Sequence, residues 1–162
     1  MTLDAVVALR KKLRSPINRA CLDYWSAKRD GSVLPGRADI DPLEMHGFLL
    51  NIVLLDVLRD PLDFRYRLVG GTVRSHLNDN LQGRSMRAIP HQAPPGDIFD
   101  SCQRVVETRE PRSSEAPYVG PHRGFLVSED LMLPLASDGR EVDMLLLTID
   151  FLTAAVVTAT VD

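Results

Sequence analysis

The chain has 162 residues, of which 44% are hydrophobic and 25% charged, a balance that fits one globular domain needing neither disulfide nor metal to fold. Its net charge of −3 argues against a nucleic-acid binder, which would carry a basic face. The charge is uneven: residues 1–30 hold seven basic and three acidic side chains, about +4, which leaves about −7 for the remainder.

Leu3, Val6, Val7, Leu9 and Leu13 predict a first helix. No uninterrupted apolar core of a signal peptide is present there. Ser15 offers an N-cap and Pro16 suits the first helical position of a second helix. Ile17, Ala20, Cys21, Tyr24 and Trp25 then recur at helical spacing on one face. Asp41-Pro42-Leu43-Glu44 reads as a further helix start, with Glu44 placed to reach back to the cap. Ile52 to Leu58 is an aliphatic strand ended by the Arg59-Asp60-Pro61 turn signal.

Phe64, Tyr66 and Leu68 alternate with Arg65 and Arg67, so a strand is expected with the first three on its buried face. Gly70-Gly71 breaks it, and Thr72 is placed to cap a short helix carrying Val73 and Leu77. Another helical turn around Met86 to Ile89 stops at Pro90. Asp97 is expected to cap a long helix whose apolar stripe is Ile98, Cys102, Val105 and Val106, flanked by Phe99.

The remainder reads as antiparallel sheet. Residues 113–119 form a strand. Phe125, Val127, Leu131, Leu133 and Leu135 keep odd-position alternation, with Glu129 the exception. Asp138-Gly139 is a hairpin signal, and Val142 to Phe151 answers as partner strand. The apolar run from Met144 to Val161 would place Asp150 inside a bilayer as a membrane helix, at about 2.5–3.5 kcal/mol, so a buried strand is expected and no membrane span. The order is that of an α+β fold with five antiparallel strands. Residues 1–47 are expected as an N-terminal helical extension, 48–152 as the core and 153–162 as a terminal strand or tail.

Several pieces of this chain carry a resemblance in order. They are Tyr24-Trp25, Pro35 to Arg37 with Asp39 to Pro42, Leu54 to Val57, Phe64 to Gly70, Gly83-Arg84, Leu133 to Leu135, Asp138-Gly139 and Val142 to Met144. Together they cover roughly residues 20–150 and resemble an atypical bacterial PAS family, once catalogued as a domain of unknown function. The doubled Gly70-Gly71 departs from the pattern, which has Gly followed directly by Thr. The resemblance implies a five-stranded antiparallel sheet with helices on one face enclosing a cavity. It also implies a sensory or signalling module with no catalytic activity, which binds a small ligand, mediates protein contacts, or both.

Under that resemblance the cavity lining is expected from Phe64, Tyr66, Leu68, His76, Met86, Ile98 and Cys102. Haem is disfavoured, because the helix over 97–109 has no His to serve as axial ligand. Flavin is disfavoured because the short-helix Cys motif is missing. Cys21 and Cys102 have no zinc-site or redox-pair spacing, so no metal is expected and both read as reduced core thiols of a cytoplasmic protein. His46, His91 and His122 fall near turns and are expected at the surface. The apolar faces of the first two helices exceed what one small sheet needs, so Leu3, Val6, Leu13 and Trp25 are expected on a homodimer or signalling-partner surface. The alternative is a small hydrolase or isomerase using the same cavity with Asp79 or His76 as base. That chemistry requires an acid–base pair facing one pocket, and nothing in the sequence places two such groups together.

Overall fold

The computed structural model describes residues 1–159. Its centre is an antiparallel sheet of five strands: β1 (Ile52–Leu58), β2 (Asp63–Val69), β3 (Arg112–Pro117), β4 (Phe125–Leu135) and β5 (Met144–Thr153). Their spatial order is β2-β1-β5-β4-β3, so the first and last strands in sequence, β1 and β5, lie side by side at the centre. The helices are α1 (Leu3–Lys12), α2 (Pro16–Lys28), α3 (Gly71–Ser75), α4 (Asp97–Thr108) and α5 (Ala154–Ala159).

Local chemistry explains most of the boundaries. Ser15 Oγ accepts from Asn18 N at 3.0 Å and Pro16 occupies the first turn, so α2 starts where its capping signal lies. Asp41 Oδ1 accepts from Leu43 N in a 3-10 turn, whereas Glu44 turns away from that cap to take the Tyr24 hydroxyl and Lys28. Gly139 has φ of +78°, and Asp138 Oδ1 accepts from Arg140 N and Glu141 N, which closes the β4–β5 turn. Two expected caps are displaced by one residue or two. Gly96 rather than Asp97 precedes α4, and Gly70 rather than Thr72 precedes α3. β5 gives way to α5 at Ala154 instead of continuing as strand or tail; residues 160–162 lie outside the described residues.

One irregularity changes which side chains face inward. Leu54 pairs with Leu68 but Leu55 pairs with Tyr66, so Arg67 is an extra residue, a β-bulge in β2. Period-two alternation holds up to Tyr66 and then changes phase. Leu68 is 38% exposed and Val69 takes the inward position instead. Leu68 is therefore not part of an interior lining. Arg65 and Arg67 of β2 both donate to Asp56 of β1 and bracket its carboxylate. Burial opposes the charge on Asp56, but the two guanidinium partners prevail and hold its carboxyl below the usual range.

The sheet is covered on both faces. α4 and the short helices lie over the face carrying Phe64, Tyr66, Asp130 and Met132. The α1–α2 pair lies over the opposite face, which carries Glu129, Leu131, Thr148 and Asp150. Trp25 is fully buried there, with its Nε1 donating to the Pro134 carbonyl at 2.9 Å. Val6 and Leu13 are also buried. These three side chains were expected on a partner surface. Instead they are buried in the core of their own chain, Trp25 against β4, because a sheet with two apolar faces needs two covering layers. Of that set, only Leu3 stays outside, 77% exposed.

Candidate functional site

The expected lining residues do not gather around one space. Phe64 and Phe99 meet edge to face with centroids 5.2 Å apart. Cys102 Sγ lies 4.0 Å from Met132 Sδ, and Met86 is fully buried. Tyr66 donates its hydroxyl to Gln92 Oε1 at 2.7 Å. Burial pushes the Tyr66 hydroxyl and the Cys102 thiol upward in pKa, so both stay protonated. These side chains pack on one another as core. The stripe of α4 is centred on Phe99, Cys102 and Val105, one position round from the expected Ile98, which is half-buried.

His76 lies elsewhere, at the C-terminal end of α3. Its ring stacks on Phe151 at 3.7 Å, and its Nδ1 shares a 2.6 Å hydrogen bond with the Tyr118 hydroxyl. His122 Nε2–H donates to the Ser75 carbonyl at 2.7 Å. Burial, reinforced by His122 and opposed by Asp150, lowers the His76 pKa, which favours a neutral ring. The group closes the β3–β4 loop against α3. Asp79 is held by Arg84 in a surface ion pair. No carboxylate is among the hydrogen-bond partners of His76 among the described residues, so the acid–base pair required by an enzyme is not assembled at either expected base. No group of three or more His, Cys, Asp or Glu among the described residues is placed to hold a metal ion. Likewise no helix among them is long and apolar enough to cross a membrane.

An open cleft of about 440 Å³ lies between α4 and the β3–β4 edge of the sheet. One wall is the polar stripe of α4, Asp97, Asp100, Ser101 and Arg104, which the helical period brings to one side. The other wall is Arg112, Ser114 and Ala116 on β3. Asp130 of β4 lies opposite Ser114 in the ladder and faces into the cleft between the walls. Ile98 is the one expected lining residue that borders it.

Asp130 is the unusual group. It is partly buried, and no donor among the described residues reaches its carboxyl oxygens. Burial, reinforced by the neighbouring Glu129 charge, pushes this carboxyl up to about 7. An acid in that state takes or releases a proton near neutrality, and it gains from any cation or donor brought to it.

Glu129, the next residue back, points the other way and is only 2% exposed. It accepts from Arg14 N at 2.7 Å, Ser15 N at 3.0 Å and Asn18 Nδ2 at 3.0 Å. Across the ladder from it, Asp150 accepts from the Ser15 hydroxyl at 2.6 Å. Two carboxylates thus sit beneath the N-terminus of α2, where unpaired backbone N–H groups and the helix dipole favour negative charge. Arg14 adds an ion pair to Glu115 at 3.3 Å.

Sequence reasoning missed Asp130, Arg104 and Arg112. Even-numbered positions of β4 read as a wet face, so an acid there attracted no notice. Glu129 did leave a signal, as the charged residue in an otherwise apolar alternation.

No curated protein matches the chain. Among solved structures, a sensory box sensor histidine kinase from Vibrio cholerae is 16% identical, with 64% of this chain and 84% of that chain covered at a TM-score of 0.48. A fungal LOV domain photoreceptor is 17% identical, with 82% of this chain and 90% of that chain covered at a TM-score of 0.45. The PAS domain family profile matches residues 13–149, nearly the whole described chain and both walls of the cleft, and the chain belongs to that family.

Proposed function

We propose that this PAS domain is a cytoplasmic sensory module whose signal is a small ligand in the α4–β3 cleft, passed on by protein contact. The observation that carries the reading is Asp130, a partly buried carboxyl facing an open cleft with no donor of its own among the described residues. A partly buried carboxyl with no protein donor gains from a cation or donor that a ligand brings to it. A ligand shifts a protein between states only through different affinity for them. β4 supplies the link, because its adjacent residue Glu129 holds the N-terminus of α2 on the far face. The output is contact with a signalling protein or a second copy, and α1 offers Leu3 and Val7 outward for it.

Nuclear magnetic resonance of the labelled protein tests the ligand directly. A small-molecule extract of the source cells is expected to shift the amide signals of Ser101, Ser114 and Asp130. An extract that leaves them unmoved would overturn the sensory reading of this cleft.

A further inference from the structure

The charges along the cleft are sorted by sign. α4 and β3 are joined by only Arg109, Glu110 and Pro111, so the chain doubles back and the end of α4 lies beside the start of β3. Arg104 and Arg112 therefore share one end of the cleft. Asp97 and Asp100 lie a turn or more earlier on α4, toward the other end, and Asp130 stands between, opposite Ser114. Arg112 is one same-face step from Ser114, about 7 Å along the strand. Among the described residues neither arginine makes an ion pair, nor does Asp97, Asp100 or Asp130. Glu115, which also borders the cleft, belongs to the opposite face of β3 and is taken by Arg14.

We infer that the cleft takes a small zwitterion, an amino-acid-like molecule whose carboxylate lies on Arg104 and Arg112 and whose ammonium lies on Asp130; this rests on the sensory reading of the same cleft. Guanidinium groups match a carboxylate in geometry as well as charge. Asp130 is the deepest anion and takes the compact ammonium, with Asp97 and Asp100 supporting it from the α4 wall. Ser101 and Ser114 supply hydroxyls midway, and Ile98 with Ala116 supplies a limited apolar surface for a short side chain. The same sorting works against other classes. A dicarboxylate would meet three aspartates, a diamine would meet two arginines, and a long apolar molecule would desolvate charges without pairing them.

The test uses the full chain with α- and ω-amino acids, their amides, which keep only the positive charge, and their N-acetyl derivatives, which keep only the negative charge. At least one zwitterion is expected to raise the melting temperature and shift the Ser114 and Asp130 amides. Both single-charge analogues are expected to bind about tenfold more weakly or worse, the usual effect of losing one charged hydrogen bond. Asp130→Asn should erase the preference over the N-acetyl form, and Arg112→Gln should erase the preference over the amide, each in protein with unchanged circular dichroism. Equal binding of a zwitterion and its single-charge analogues would overturn the inference, and so would no binding of any zwitterion at millimolar concentration. If the cell extract still shifts the cleft amides while zwitterions do not, the ligand class fails and the sensory reading stands. If neither moves them, both fall.

Discussion

Glu129 and Asp130 are consecutive in β4 and face opposite sides of the sheet: Glu129 holds the start of α2, and Asp130 faces the cleft under α4. One strand position thus touches both covering layers. A displacement of β4 at Asp130 moves the acceptor that fixes α2, with no intervening side chain.

The Glu129 anchor is the first part of that relationship to test. Glu129→Gln keeps the shape but replaces one acceptor oxygen with an amide that faces N–H donors. The Arg14 and Ser15 N–H groups then compete for one oxygen, and the charge beneath the helix terminus is lost. Urea unfolding is expected to show a loss of about 1.5–3 kcal/mol, the range for hydrogen bonds to a charged group. A change under about 0.5 kcal/mol, as at an ordinary surface site, would show that α2 does not depend on this carboxylate.

Asp130 sets a pH dependence of the opposite sign to that of a paired carboxylate. Its ordinary value is 3.8 and its folded value about 7. Below pH 4 both folded and unfolded chains hold the proton. Between pH 4 and 7 only the folded chain still holds it, so stability falls as pH rises, and above 7 the loss is complete. Asp130→Asn removes this slope. Relative to the wild type, the variant should gain roughly 2–4 kcal/mol between pH 4 and pH 8. Every other ionisable side chain is common to the two proteins, so the difference reports on position 130. Parallel stability curves for the two proteins would contradict the raised Asp130 value.

Gly70 and Gly71 look alike in sequence and differ in structure. A Cβ at Gly70 would collide with the Leu50 carbonyl oxygen and stand 2.9 Å from that of Ile52, both backbone atoms. At Gly71 the nearest atom is Leu50 Cδ2 at 3.8 Å, an ordinary contact. Gly70→Ala should therefore cost about 1–3 kcal/mol or more in thermal or urea unfolding through forced backbone displacement. Gly71→Ala, in the first turn of α3, should be neutral or gain up to about 1 kcal/mol by restricting the unfolded chain. Equal effects at the two positions would show that the close approach at Gly70 is relaxed in solution.

The secondary structure was legible because its signals are local. Ser15-Pro16, Asp138-Gly139 and the odd-position alternation of β4 each act within a few residues, and each marks an observed boundary or strand. The bulge at Arg67 was not legible, since one extra residue leaves an Arg–aliphatic alternation unchanged to the eye while reversing the side on which Leu68 falls. The second covering layer was also misjudged. A helix face rich in Leu and Trp has the same pattern whether it meets the sheet of its own chain or another molecule. The cleft was hidden for a related reason: Asp130 is polar by sequence, and only the position of α4 turns that side of β4 into a lined space.

The N-terminal helices supply the last test, because their role as core and their role as contact surface separate cleanly by residue. Trp25 is fully buried and donates to Pro134, so Trp25→Ala should cost about 3–5 kcal/mol, the range for emptying a large aromatic site. Removal of residues 1–14 would strip Val6, Leu9 and Leu13 from the core, so it should lower the melting temperature rather than leave an intact domain. Self-association must then be probed by the outward side chains alone. Leu3 is 77% and Val7 43% exposed, and neither is part of the buried core. The double variant Leu3→Asp, Val7→Asp should keep the melting temperature within a few degrees, as exposed substitutions do. If α1 forms the contact, the same variant lowers the mass measured by light scattering at equal concentration. An unchanged mass alongside an unchanged melting temperature would exclude α1 as the surface through which copies of this domain meet.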